Sequence, residues 1–168
     1  MAESLHITKH ANKDQRYEEI IPQIKSLIET EDDLIANLAN TAAILTETFG
    51  HLWTGFYLRK GERLVLGPFQ GPLACTSIPL KPIARGVCGA AAKQQKTLVV
   101  PDVDTFPGHI ACSSAARSEI VVPLVVNGET ELVLDIDSTS LNTFDSIDAL
   151  YLERVITLLH DRHFSGGK

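Results

Sequence analysis

The sequence is poor in the features that staple, span or bind polyanions. Its 168 residues hold three cysteines, Cys75, Cys88 and Cys112, an odd count with no C-x-x-C pair. That count, with no secretion signal, argues against a structural disulfide framework. No pair of histidines has zinc-finger spacing, so no metal site is expected. No apolar segment follows a basic start, and no run approaches the roughly 20 residues needed to cross a bilayer. Positive charge is in deficit, with 15 Lys and Arg against 21 Asp and Glu, a formal charge of −6. Neither nucleic acid nor a membrane surface is therefore expected as a partner. Internal repeats and low-complexity stretches are also missing. What remains is a cytoplasmic protein of one domain, whose 44% hydrophobic content is ample for a core.

Residues 1–13 are polar and without periodicity, and are expected to be a flexible segment. Between 14 and 29, Tyr17, Ile20, Ile21, Ile24, Leu27 and Ile28 recur at helical spacing, with Pro22 as a start or kink. Thr30 or Asp32 can cap a second helix carrying Leu34, Ile35, Leu38, Ala42, Leu45 and Phe49, closed by Gly50. Both read as amphipathic, suited to packing on a sheet and to offering a dimer surface. A strand is expected over 52–59, a turn over 60–63 and a second strand over 64–67. A loop over 68–75 leads to a short strand at 76–80. An Ala-rich helix over 87–95 carries Cys88 near its start, and 98–100 form another short strand. Strands over 119–126 and 130–137 are joined by a turn at Asn127-Gly128. A final helix begins at Phe144-Asp145, and 160–168 are expected to be loose. Helices at both ends of paired strands imply an α+β fold with an antiparallel sheet. One domain is expected over 14–163, with a flexible tail over 164–168.

The chemistry concentrates in the stretch from Gly108 to Glu119, read with Asp135 and Asp137. Cys112 lies there among small residues that allow a ligand close to the backbone. Cys88 sits at an expected helix N-terminus, where the dipole favours an anion, and Cys75 lies in a Gly- and Pro-flanked loop. Inert buried thiols and a reactive thiol with companions are both compatible with this pattern. Asp135 and Asp137 alternate on one strand and so share a face, and Glu119 opens the neighbouring strand. Three carboxyls so close cannot all ionise, so at least one retains a proton near neutrality. A thiolate beside a protonated carboxyl suits reduction of a polar oxygen, and the remaining anions suit an ammonium group. Trp53 and Tyr57 share a face of their strand and can wall a methyl or thioether group. His109 is a candidate base.

These residues lie in motifs that together resemble one family. Trp53-Thr-Gly-Phe-Tyr57, Leu66-Gly-Pro-Phe-Gln-Gly71, Ala74-Cys75, Arg85-Gly-Val-Cys-Gly89, Pro101-Asp-Val103, Phe106-Pro-Gly-His-Ile-Ala-Cys112, Ser118-Glu-Ile-Val-Val-Pro-Leu124 and Leu134-Asp-Ile-Asp-Ser138 resemble the free methionine-(R)-sulfoxide reductases, stand-alone GAF-domain enzymes. The sequence departs from the family pattern at Ala84, Ser113 and Leu132. The resemblance implies a six-stranded antiparallel sheet flanked by helices, commonly in a homodimer. It implies reduction of free L-methionine (R)-S-oxide, with no cofactor and with thioredoxin as reductant. By the same resemblance Cys112 attacks the sulfoxide, Cys75 or Cys88 resolves the product into a disulfide, and Cys75 is preferred because its loop can swing. The carboxylates fall on Glu119, Asp135 and Asp137 and the aromatic pocket on Trp53 and Tyr57. Two other readings fit a domain of this kind: a module that senses a small molecule without turnover, and a thiol peroxidase.

Overall fold

The computed structural model describes residues 4–110 and 113–166. Helix α1 spans Lys13–Thr30 and opens with a capping box between Asn12 and Gln15. It buries Tyr17, Ile20, Ile24 and Ile28, one stripe at helical spacing. Pro22 lies inside it and does not begin it, because the stripe continues unbroken on both sides. Helix α2, Leu34–Phe49, is capped by Asp33 and closed by Gly50 in the left-handed conformation. The residues before α1 lie along it: the amides of His6 and Thr8 donate to the side chains of Gln23 and Glu19.

Six strands follow: β1 Trp53–Lys60, β2 Arg63–Gln70, β3 Ser77–Pro79, β4 Leu98–Val100, β5 Ser118–Val126 and β6 Glu129–Ser138. They form one antiparallel sheet in the order β3-β2-β1-β6-β5-β4. Strand β2 runs three residues beyond the end expected from sequence. Its pairing with β1 shifts between Gly55 and Tyr57, and this bulge accommodates Pro68, which has no amide to give. The β5–β6 turn uses Asn127 and Gly128, both at positive φ, as a two-residue hairpin requires.

The strands alternate between two cores. Phe56, Ile120, Val122, Leu124, Leu132, Leu134 and Ile136 face α1, α2 and the last helix, α4, Ser146–His163. Helix α4 is capped by Asp145 and continues past His160, where a loose tail was expected. His163 within it lies 2.9 Å from Asn37 on α2. A buried polar tie joins α1 to α4. Asp148 accepts from Tyr17 Oη at 2.8 Å and from Lys13 Nζ at 2.5 Å. The opposite face carries Trp53, Tyr57, Val121 and Val133 against the short helix α3, Gly86–Gln94. Leu132, a departure from the family pattern, belongs to the first face. Among the described residues no helix is long and apolar enough to cross a membrane.

Candidate active site

The second face of the β5–β6 hairpin ends in carboxyl groups. Register sets Glu119 opposite Asp137 and Val121 opposite Asp135, while β1 sets Trp53 opposite Asp137 and Gly55 opposite Asp135. Asp135 and Asp137 therefore share a face, and Glu119 joins them across the ladder, as the alternation of the sequence implied. Glu119 and Asp135 are buried. Loss of water pushes all three acids up. Glu119 is held well above the usual carboxylate range by burial and by the charges of Asp135 and Asp137. Asp137 is pushed up to about 8 by burial and then by Asp135. Asp135 reaches only about 6, because contacts from Cys88 and Glu119 offset part of the burial cost. The cluster thus keeps protons near neutrality, and Asp135 is the member most ready to be an anion.

The thiols separate clearly. Cys88, on the first turn of α3, is a buried free thiol whose Sγ lies 4.0 Å from Glu119 Oε1. The helix terminus was expected to favour its thiolate. The reverse holds: burial, then the charges of Asp135 and Glu119, push this thiol well above its ordinary value and outweigh the dipole. Cys75 is disulfide-bonded and half-buried in the loop between β2 and β3. Its carbonyl accepts from Tyr57 Oη at 2.9 Å, a link that no sequence pattern announced. Cys112 and Ala111 lie outside the described residues.

A cavity opens above the acids. Cys88, Glu119, Asp135 and Asp137 line it together with Arg85 and His109. Ile110 and Ser113, on either side of residues 111 and 112, line it too. The Ile110 end of the loop is fixed by Gly86 N–H donating to Gly108 O at 3.0 Å and by His109 N–H donating to Phe106 O at 3.1 Å. His109 Nε2 stands 3.9 Å from Glu119 Oε2, and burial lowers its pKa, so the ring is neutral at pH 7. Ile78, on β3, and Arg85, at the N-cap of α3, are lining residues with no role assigned from the sequence.

The aromatic pair lies behind this cavity and is not among its described lining. Trp53 stacks between Tyr57 and Phe69, with ring centroids at 5.8 and 5.3 Å. Two glycines make room for the indole. A Cβ on Gly55 would come within 2.6 Å of the Trp53 ring, and one on Gly71, at φ +131°, within 2.8 Å. Trp53 Nε1 and Asp135 Oδ1 are buried without a hydrogen-bond partner among the described residues. Such atoms are costly unless a ligand meets them.

Known proteins resemble this arrangement over nearly the whole chain. The family model described as GAF domain matches residues 29–160. The free methionine-R-sulfoxide reductase of Escherichia coli is 43% identical over 149 residues, covering 88% of this chain and 88% of that protein. GAF domain-containing protein A of Dictyostelium discoideum is 54% identical over 95% of this chain and 99% of its own length. The structure of free methionine-R-sulfoxide reductase from Neisseria meningitidis in complex with its substrate superposes with a TM-score of 0.90, at 53% identity, covering 95% of this chain and 94% of that one. With its six-stranded sheet, its acid-floored cavity and these relatives, the chain belongs to the GAF-domain free methionine-R-sulfoxide reductase family.

Proposed function

We propose that this protein reduces free L-methionine (R)-S-oxide to L-methionine with a cysteine nucleophile and a thioredoxin-type reductant. One observation supports the reading above the others: a cavity bordered by Ile110 and Ser113, the described residues that flank Cys112, stands over three carboxyls whose pKa values burial raises, Glu119 and Asp137 above neutrality and Asp135 to about 6.

In this mechanism Cys112 attacks the sulfoxide sulfur. Glu119, held in its protonated form by burial and by the charges of Asp135 and Asp137, gives its proton to the departing oxygen. The oxygen ends on the cysteine as a sulfenic acid, and methionine is released with its sulfur reduced by two electrons. Asp135 and Asp137 receive the substrate ammonium, whose charge compensates theirs. Trp53 and Tyr57 back the wall on the thioether side. The thiol of Cys75 then displaces water from the sulfenic acid and forms a disulfide, which a dithiol protein reopens. Cys75 is favoured over Cys88 because it is the disulfide-bonded cysteine, whereas Cys88 is a free thiol that burial keeps protonated. We place the enzyme in the cytoplasm as a homodimer associating through its terminal helices.

The test follows NADPH oxidation coupled through thioredoxin reductase and thioredoxin. Turnover is expected with free methionine (R)-sulfoxide and not with hydroperoxide. Turnover with peroxide alone would make the protein a peroxidase, and ligand binding with no turnover would make it a sensor.

A further inference from the structure

We infer that Cys88, Glu119 and Asp135 form a binding site for one divalent zinc-like cation, which enters the place proposed above for the substrate ammonium and so blocks the pocket reversibly. Only the blocking rests on the proposed activity; the binding does not.

One donor atom from each of these side chains lies within 4.8 Å of the other two, and all three residues are buried. In a tetrahedral zinc site, bonds of 2.0–2.3 Å put donors roughly 3.3–3.8 Å apart. Contraction by about an ångström thus completes three corners, within the reach of ordinary side-chain rotation. The donors come from α3, β5 and β6, elements packed directly on one another, so the backbone need not move. A water fills the fourth corner, as in sites with three protein ligands. His109 stands beside the set, its Nε2 3.9 Å from Glu119 Oε2, and the loop that carries it is bonded to the first residue of α3 through Gly86.

An independent feature points to a ligand. Asp135 is only 7% exposed and lines the cavity, yet its Oδ1 has no hydrogen-bond partner among the described residues. The fold has invested burial in a carboxylate oxygen and left it unanswered. The donor set then selects the ion. A thiolate beside two carboxylates favours Zn²⁺ or Co²⁺ over Mg²⁺ or Ca²⁺, which prefer all-oxygen shells. On binding, the metal–sulfur bond replaces the S–H bond of Cys88 and the proton leaves to buffer, with no change of oxidation state.

The experiment uses the full chain, fully reduced and metal-free. Co²⁺ is titrated while thiolate-to-cobalt charge-transfer absorption is recorded, and Zn²⁺ affinity is read by competition with a chromophoric chelator. One equivalent is expected to bind with the charge-transfer band present and to be displaced by free methionine. In Cys88→Ser the band disappears and zinc affinity falls by about 100-fold, the scale of losing a ligand or its support. Asp135→Asn, nearly isosteric, provides a second check and weakens zinc by about tenfold. Near-ultraviolet circular dichroism of Trp53 certifies that each variant is folded. A band that survives Cys88→Ser, or zinc affinity unaltered in both variants, overturns the site; failure of methionine to displace the ion overturns its placement. Loss of the proposed reductase reading would appear separately, as metal-free enzyme without turnover.

Discussion

Glu119 and Asp137 face one another across the β5–β6 ladder, on the side of the sheet turned away from the three long helices. Directly opposed residues in such a pair have Cβ atoms about 4.5–5.5 Å apart, a separation at which like charges repel strongly once water is excluded. The backbone register therefore brings these acids together before any substrate arrives.

This has a measurable consequence for stability. An acid whose folded pKa is raised retains a proton that the unfolded chain gives up. Its contribution is complete below the unfolded value and is lost as pH rises through the folded one. For Asp137 the window runs from the ordinary 3.8 to about 8. Asp137→Asn is expected to raise Tm relative to the parent at pH 8, with the gain shrinking to nothing near pH 4. Melting curves across this range check it, and a difference independent of pH would contradict the assignment.

The sulfur roles are separable by single and multiple turnover. Cys112→Ser is expected to lose roughly a thousandfold or more in rate, as removal of a nucleophile does, with an unaltered circular dichroism spectrum. Cys75→Ser should still release one equivalent of methionine but not recycle with thioredoxin. Mass mapping after one equivalent of substrate should find the Cys75–Cys112 bridge; finding Cys88 in it would transfer the resolving role.

Glu119→Gln removes the proton donor while keeping the shape of the pocket. A fall in kcat of about 100-fold to 10,000-fold is expected, the range for general acid catalysis. The parent's decline in rate at alkaline pH should flatten in the variant. Equal kcat with only a raised KM would reassign Glu119 to substrate binding.

Gly55→Ala tests the packing around the indole. The new methyl would sit 2.4 Å from Phe69 Cβ and 2.6 Å from the Trp53 ring, so something must shift. A loss of about 1–3 kcal/mol is expected from overpacking, with a change in Trp53 fluorescence. Chemical denaturation and emission spectra measure both.

Tyr17→Phe tests the far core. It leaves Asp148 Oδ1 without the phenol that now donates at 2.8 Å. Stability should fall by about 1–3 kcal/mol, the cost of an unsatisfied buried acceptor. The kcat should hold, because this tie lies on the opposite face of the sheet from the acids.

The acid cluster was legible because it depends on local rules. Period-two alternation puts Asp135 and Asp137 together, and the turn at Asn127-Gly128 brings Glu119 onto the neighbouring strand, where a one-residue shift between Leu124 and Val125 that no pattern announced sets it opposite Asp137. The helices were legible from the stripe through Tyr17, Ile20 and Ile24 and from the Gly50 terminator, while the cap of α2 falls on Asp33 and not on Thr30 or Asp32 as expected. What escaped depends on contacts distant in sequence. The expectation that Cys88 would favour its thiolate counted the helix terminus and not the carboxyl 31 residues away that meets its sulfur. Pro22 argued for a start or kink, whereas the helix begins at Lys13, and β2 outran its expected end because a bulge absorbs Pro68. Phe69, which only that extended strand brings alongside Trp53, shares its stack.

The Asn127-Gly128 turn lies eight residues from Glu119, roughly 25 Å along an extended strand. Together with the one-residue shift between Leu124 and Val125 it sets the register of the acids, and inserting or deleting a single residue there, if not taken up at that shift, would carry Asp135 and Asp137 through the sheet to the side of α1 and α4. A bend that touches no ligand thus governs the site at a distance, and length changes at that remote corner should be as damaging to turnover as substitution of the acids themselves.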